Sequence, residues 1–207
     1  TIFVRLTGCP LRCVYCDTEY AFSSGERHSL EAIVATIKSY PCQRICLTGG
    51  EPLAQPNAVE LMQRLLNDGY EVSLETAGAL TVKNVPPAVS KVMDLKTPSS
   101  GEVDKNLWSN LDYLTQHDQI KFVIMNRADY EWAKATLFEH QLDKLVGTVW
   151  FSPMFTVAEE VTASEALSSP DVPVLARELA EWILADALPV RFQLQLHKII
   201  WADAKGK

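Results

Sequence analysis

Arg44-Ile45-Cys46-Leu47-Thr48 is a short run with an apolar centre, and Gly49-Gly50-Glu51-Pro52 interrupts it. Asn57 then opens a segment in which Leu61, Met62, Leu65 and Leu66 fall at helical spacing. Gly69 sits where that helix should end, and Glu71 to Glu75 follows as a second strand. Strand, helix, strand is one unit of a parallel sheet, the helix burying its apolar stripe on one face. The same alternation extends outward in both directions. Upstream, Thr1 to Leu6 reads as a strand, and Ser29 can cap a helix carrying Leu30, Ile33, Val34 and Ile37 that Pro41 stops. Downstream, strands are expected over Val92–Leu95, Ile120–Ile124, Thr148–Phe151 and Val190–Ile200. Helices are expected over Asn106–Leu114, Asp129–His140 and Val174–Ala187, and Thr162–Pro173 reads as a loop. The pattern predicts an α/β fold with a mainly parallel sheet of about six to seven strands. That number suits a partial, open β/α barrel and is too small for a closed eightfold one. In such sheets ligands bind beyond the carboxyl ends of the strands.

The chain has 207 residues, 47% of them hydrophobic, which suits a single domain over residues 1–207 with a sizeable core. No apolar run is long enough to span a bilayer, so no membrane partner is expected. The net charge of −7 argues against nucleic acid as a partner, because phosphate binding requires a basic surface. The sequence opens directly on a strand with no signal peptide ahead of it, and residues of the natural protein are expected to lie upstream. Its five cysteines, three of them crowded between Cys9 and Cys16, fit a disulfide framework poorly. Reduced thiols and a cytoplasmic location are the expectation. Cys42 and Cys46 flank an apolar strand and read as structural.

Cys9-Pro10-Leu11-Arg12-Cys13-Val14-Tyr15-Cys16 is a CX3CX2C triplet directly after the first strand. A short loop of this kind can fold three thiolates onto one metal centre. Three ligands are one short of a structural zinc site, and they leave one iron of a four-iron cluster without a protein ligand. The spacing leaves open a cluster, a zinc site completed by His28, or three unrelated buried thiols. Gly49-Gly50-Glu51 lies one strand and one helix further on. Its glycines allow close backbone approach to a ligand, and Glu51 can accept from a cation.

These motifs resemble the radical S-adenosylmethionine (SAM) superfamily, whose CX3CX2C loop binds a 4Fe-4S cluster and whose Gly-Gly-Glu segment holds the amino group of SAM. Tyr15 supplies the aromatic residue expected before the third cysteine. Arg5-Leu6-Thr7-Gly8-Cys9, Cys16-Asp17-Thr18, Leu74 to Gly78, Ile120 to Ile124, Asp129 to Trp132, Phe151 to Met154 and Gln193 to Lys198 are similar to the 7-carboxy-7-deazaguanine synthase family. The resemblance covers the whole chain. It implies a lyase of queuosine and 7-deazapurine biosynthesis, the pathway that modifies tRNA. The reduced cluster would cleave SAM, and the resulting radical would take hydrogen from carbon 6 of 6-carboxy-5,6,7,8-tetrahydropterin. The ring then contracts to 7-carboxy-7-deazaguanine with loss of ammonia.

The resemblance also implies residue roles. Cys9, Cys13 and Cys16 would ligate the cluster and, with Glu51, form the catalytic group. Tyr15, Asp17, Gly49, Gly50, Glu51, Glu75, Lys96 and Ser152 would surround SAM, although Asp94-Leu95-Lys96 departs from the Ser-Pro-Lys of some relatives. Arg5, whose guanidinium fork matches a carboxylate, would bind substrate with Thr48 and His197, the last from the final strand. Thr18 would ligate Mg2+. The alternatives for individual residues are ordinary ones: a turn threonine, a strand-end carboxylate, a core histidine. The family carries a Gln-Gly-Glu-Gly substrate-binding segment upstream of the first strand, which this sequence lacks. Homodimerisation and a flavodoxin or ferredoxin electron donor are further expectations. Two rivals remain: a radical SAM activase acting on a partner protein, and a non-catalytic zinc or cluster-binding module.

Overall fold

The structure, a computed structural model, describes residues 1–23, 25–154 and 174–201. Its sheet has seven parallel strands in chain order: β1 (Ile2–Leu6), β2 (Arg44–Gly49), β3 (Glu71–Thr76), β4 (Ser90–Asp94), β5 (Gln119–Ile124), β6 (Thr148–Pro153) and β7 (Arg191–Phe192). The order runs from β1 to β7 without closing, which makes it the open, partial barrel that the βα pattern implies. Helices α1 (Leu30–Lys38), α2 (Ala58–Asn67), α3 (Arg127–Glu139), α4 (Leu142–Leu145) and α5 (Val174–Ala185) lie in the β1–β2, β2–β3, β5–β6 and β6–β7 connections, and α6 (Leu196–Trp201) follows β7. The Ser29 hydroxyl caps α1 by accepting from the Ala32 amide at 3.1 Å. The end of α2 closes with the Gly69 and Tyr70 amides donating to Leu66 and Leu65.

Partners in register on parallel strands share a face, so the sheet sorts its residues by alternation. Ile45, Leu47, Val72 and Leu74 lie on the helix side, packed with Leu61, Met62 and Leu65 of α2. Met93, Ile120, Phe122, Val149 and Phe151 continue that layer against Tyr130, Ala133 and Leu137 of α3 and Leu179 of α5. The opposite, concave face is the more polar one. Arg5 pairs in register with Thr48, and Asp94, Lys121, Trp150 and Arg191 form a row across four strands.

Two expected elements differ. Residues 106–114 contain a 3₁₀ turn over Trp108–Tyr113 rather than an α-helix. Two buried asparagines account for it. Asn106 exchanges hydrogen bonds with the backbone of Lys96, and Asn110 binds the backbone of Gly78, Leu80 and Val82. Side chains that bind distant backbone in this way compete with helix formation. The expected final strand over 190–200 shrinks to Arg191–Phe192, and its second half is helix α6. The Gln193 amide still donates to the Phe151 carbonyl at 3.0 Å. The next ladder bond would need an N–H from Pro153, which has none. The loop expected over Thr162–Pro173 lies outside the described residues.

At the amino-terminal end of the strands, Lys91 and Asp118 form an ion pair of 3.0 Å with side chains 4% and 0% exposed. Asp118 also accepts from the backbone of Lys91 and Thr115. Removing one member leaves a buried charge without compensation. Asp118→Ala should therefore cost about 3–5 kcal/mol, read as a lowered urea midpoint, and an unchanged midpoint would show that the ammonium escapes to water.

Candidate active site

The exits of β1 and β2 cross almost in contact. The Gly50 amide donates to the Leu6 carbonyl at 3.0 Å, and the Glu51 amide donates to the Gly8 carbonyl at 2.7 Å. A Cβ on Gly49 would stand 2.0 Å from the Leu6 oxygen, and one on Gly50 would stand 2.5 Å from the Gly8 oxygen. The two glycines therefore admit the backbone of the cysteine loop itself.

The cysteine loop begins where this crossing ends. Leu11, 1% exposed, anchors it in the core, and the Cys16 amide closes a turn onto the Cys13 carbonyl at 3.1 Å. Cys9, Cys13 and Cys16 are half-buried free thiols. Burial pushes the Cys13 and Cys16 thiols up, while the Lys96 ammonium opposes the shift at Cys13. A metal would reverse it, because coordination selects the thiolate. Among the described residues no three ligating side chains are already gathered around one point. The donor set nonetheless fits an iron–sulfur cluster, with three soft ligands in one eight-residue loop, and their sulfurs would draw together as it assembles. His28 is exposed and lies beside Glu26.

Glu51 is fully buried. Its carboxylate accepts from the Leu53 amide at 3.0 Å, the Ala77 amide at 2.7 Å and the Thr76 hydroxyl, which bridges both oxygens. Burial raises its pKa, and the hydrogen bonds and Lys96 oppose that rise. With these partners Glu51 has a part in the fold as well. It ties the exit of β2 to the exit of β3.

Beyond β4, burial alone would lower the pKa of the Lys96 ammonium. Asp94 at 3.0 Å, with Tyr15 and Cys13 nearby, outweighs burial and raises it instead. Lys96 also lies 5.9 Å from the centre of the Tyr15 ring. Among the described residues, three buried side-chain atoms here have no hydrogen-bond partner: the Tyr15 hydroxyl, Asp94 Oδ1 and Ser152 Oγ. They come from the cysteine loop and from the carboxyl-terminal halves of β4 and β6. Orphaned buried polar atoms are rare in folded proteins and mark a place for a polar ligand. Asp94 received no role from the sequence. Its only signal is its position two residues before Lys96, in place of a serine.

The remaining candidates are spread around this end. Arg5 is exposed, with Nη1 3.4 Å from the Gly49 carbonyl and its guanidinium 5.7 Å from the centre of the Tyr20 ring. Thr48, nearly buried, lies 3.4 Å from the exposed Glu75 carboxylate. The Thr18 hydroxyl donates to Asp17 at 2.7 Å, the local turn contact that was the alternative to a metal role. His197 lies on α6 rather than on a strand, and its side chain falls outside the described residues. Cys46 is 5% exposed in β2, and the Cys42 thiol donates to the Arg44 carbonyl at 3.6 Å.

Residues 3–96 match the Radical SAM superfamily model, the class of protein that the open parallel sheet and its cysteine loop define. Among solved structures, QueE from Escherichia coli superposes with a TM-score of 0.67 at 22% identity, covering 93% of this chain and 84% of that one. SuiB from Streptococcus suis bound to S-adenosylmethionine gives 0.59 at 12% identity, over 96% and 48% of the two chains. The 7-carboxy-7-deazaguanine synthase of Koribacter versatilis is 46% identical over 99% of this chain and 90% of its own length. That of Chlorobaculum tepidum is 37% identical over 99% and 87%. The chain belongs to the 7-carboxy-7-deazaguanine synthase family, and with it to the enzymes that use a 4Fe-4S cluster and SAM.

Gly49→Ala should displace the cysteine loop and lower the iron and sulfide bound per chain after anaerobic reconstitution, and full loading would show that the crossing can relax. Glu51→Gln turns an amide NH2 toward N–H donors and should cost the apo chain about 1–3 kcal/mol in urea denaturation. A smaller loss would mean that the bracket is dispensable.

Proposed function

We propose that this chain converts 6-carboxy-5,6,7,8-tetrahydropterin to 7-carboxy-7-deazaguanine, with loss of ammonia, in queuosine and 7-deazapurine biosynthesis. The observation that carries the reading is the convergence of the cysteine loop, the orphaned Tyr15, Asp94 and Ser152 atoms and the polar concave face at one end of an open sheet. When bound there, the cluster and SAM supply abstraction of a hydrogen atom from the substrate, and the chain binds, orients and excludes water.

Cys9, Cys13 and Cys16 hold the cluster by their thiolates. Tyr15, Asp17, the Gly49-Gly50 backbone, Glu75, Lys96 and Ser152 surround SAM. Lys96, held charged by Asp94, would take its carboxylate, and Glu51, which keeps the Gly-Gly segment in place, would take its amino group. Arg5 takes the pterin carboxylate in a bidentate fork, with Thr48 beside it and His197 from α6. Thr18 would ligate Mg2+ through its hydroxyl oxygen, which also donates to Asp17. A flavodoxin or ferredoxin supplies electrons at low potential, in a reducing cytoplasm and to a homodimer.

The test is anaerobic turnover of cluster-loaded protein with SAM, Mg2+, a strong reductant and the pterin, followed by mass spectrometry. Cys13→Ala should abolish product. Arg5→Lys should lower kcat/KM for the pterin roughly 10–100-fold, as expected when a charge-assisted fork is lost. Cleavage of SAM without deazaguanine would return the substrate to an activase-like partner and sink this reading.

A further inference from the structure

The cysteine loop rests on a second loop, residues 97–102, which leaves β4 and includes the 3₁₀ turn Pro98–Ser100. The Arg12 amide donates to Glu102 Oε1 at 2.5 Å, and the Val14 amide donates to the Ser100 carbonyl at 3.0 Å. The support is itself rigid. The Glu102 amide donates to Ser100 Oγ at 3.1 Å, and that hydroxyl donates to the Thr97 carbonyl at 2.6 Å. The Thr97 hydroxyl in turn donates to the Val123 carbonyl of β5 at 3.0 Å, and the Ser99 amide donates to Asp129 of α3 at 2.9 Å. Thr97, Ser100 and Asp129 are all fully buried.

Two amides of the CX3CX2C loop are thereby committed to a fixed scaffold. An amide donated to a cluster sulfur, or a positive charge nearby, raises the reduction potential, whereas negative charge lowers it. Glu102 acts twice in the same direction: it engages the Arg12 N–H and sets a carboxylate against the cysteine loop. The guanidinium of Arg12 is the opposing charge within the loop. It donates to the carbonyls of Cys9 at 2.9 Å and Leu11 at 2.6 Å and lies 4.3 Å from the centre of the Phe22 ring. Lys96 and Asp94 oppose one another on the other side.

We propose that Glu102 is a positioning residue for the cluster, fixing the cysteine loop through the Arg12 amide and holding the cluster's reduction potential low. This rests on the reading of Cys9, Cys13 and Cys16 as cluster ligands. A low potential is what reductive cleavage of SAM demands, so the carboxylate favours the chemistry without touching the reacting atoms.

The test is a redox titration of reconstituted protein followed by electron paramagnetic resonance, with iron and sulfide counted per chain. Glu102→Gln keeps an oxygen acceptor and removes the charge, so iron content should hold while the potential shifts upward. Glu102→Ala also frees the Arg12 amide, and should show a larger upward shift with faster loss of iron in air. Glu102→Asp, which keeps the charge on a shorter arm, should stay nearest to wild type in potential. Potentials equal to wild type in the Gln and Ala variants overturn the proposal, as does loss of iron with no change of potential. A wild-type protein that carries the cluster but makes no deazaguanine sinks the proposed reaction and leaves this test intact. A chain that takes up no cluster overturns the reading beneath both.

Discussion

The Leu6 carbonyl oxygen lies where a side chain on Gly49 would have to be, and the amides of Gly50 and Glu51 bind the chain leaving β1. That crossing sets the distance between the two loops on which the site is built. With one more carbon at either glycine the cysteine loop would lift away from β2, and the Glu51 carboxylate would lose its place between Leu53, Thr76 and Ala77. The motif that identifies the superfamily is therefore also a packing solution for two strand exits.

The sheet is unusual for a parallel one in having faces of different character. Parallel strands covered by helices on both sides read as continuous apolar runs. Here β1 and β3 alternate, with Arg5, Ser73 and Glu75 turned to the concave side and Val4, Val72 and Leu74 to the helices. Among the described residues the helices pack on the outer face of this open barrel, and the inner face is left to the site. The charged residues on that face are what a polar substrate requires and what a closed, filled barrel could not hold.

The βα alternation was legible because each helix carries its own period and its own stop, as Ser29 and Pro41 do around α1 and Gly69 does after α2. The cysteine triplet and the glycines were legible as spacing. What escaped depends on partners far away in sequence. Asn106 and Asn110 look like helix residues until the backbone they bind comes into view. The apolar run after Val190 stops pairing where Pro153 of β6 offers no N–H, and its second half is helix. Nothing local to Glu51 reveals that Ala77 and Thr76 converge on its carboxylate. Asp94 and Glu102 are ordinary acidic residues in the sequence and acquire meaning only beside Lys96 and Arg12.

The support beneath the cysteine loop also orders events in time. Residues 9–16 are synthesised early, but the groups that hold them, Ser100 and Glu102, and the Asp129 that holds those in turn, emerge much later. At roughly 5–20 residues per second, the three thiols wait on the order of ten seconds on a growing chain before their platform exists. Through that interval they are uncommitted and open to oxidation or to the wrong metal. Delivery of iron and sulfide is thus best matched to a chain whose first five strands are complete, and a reducing environment matters most to the unfinished protein.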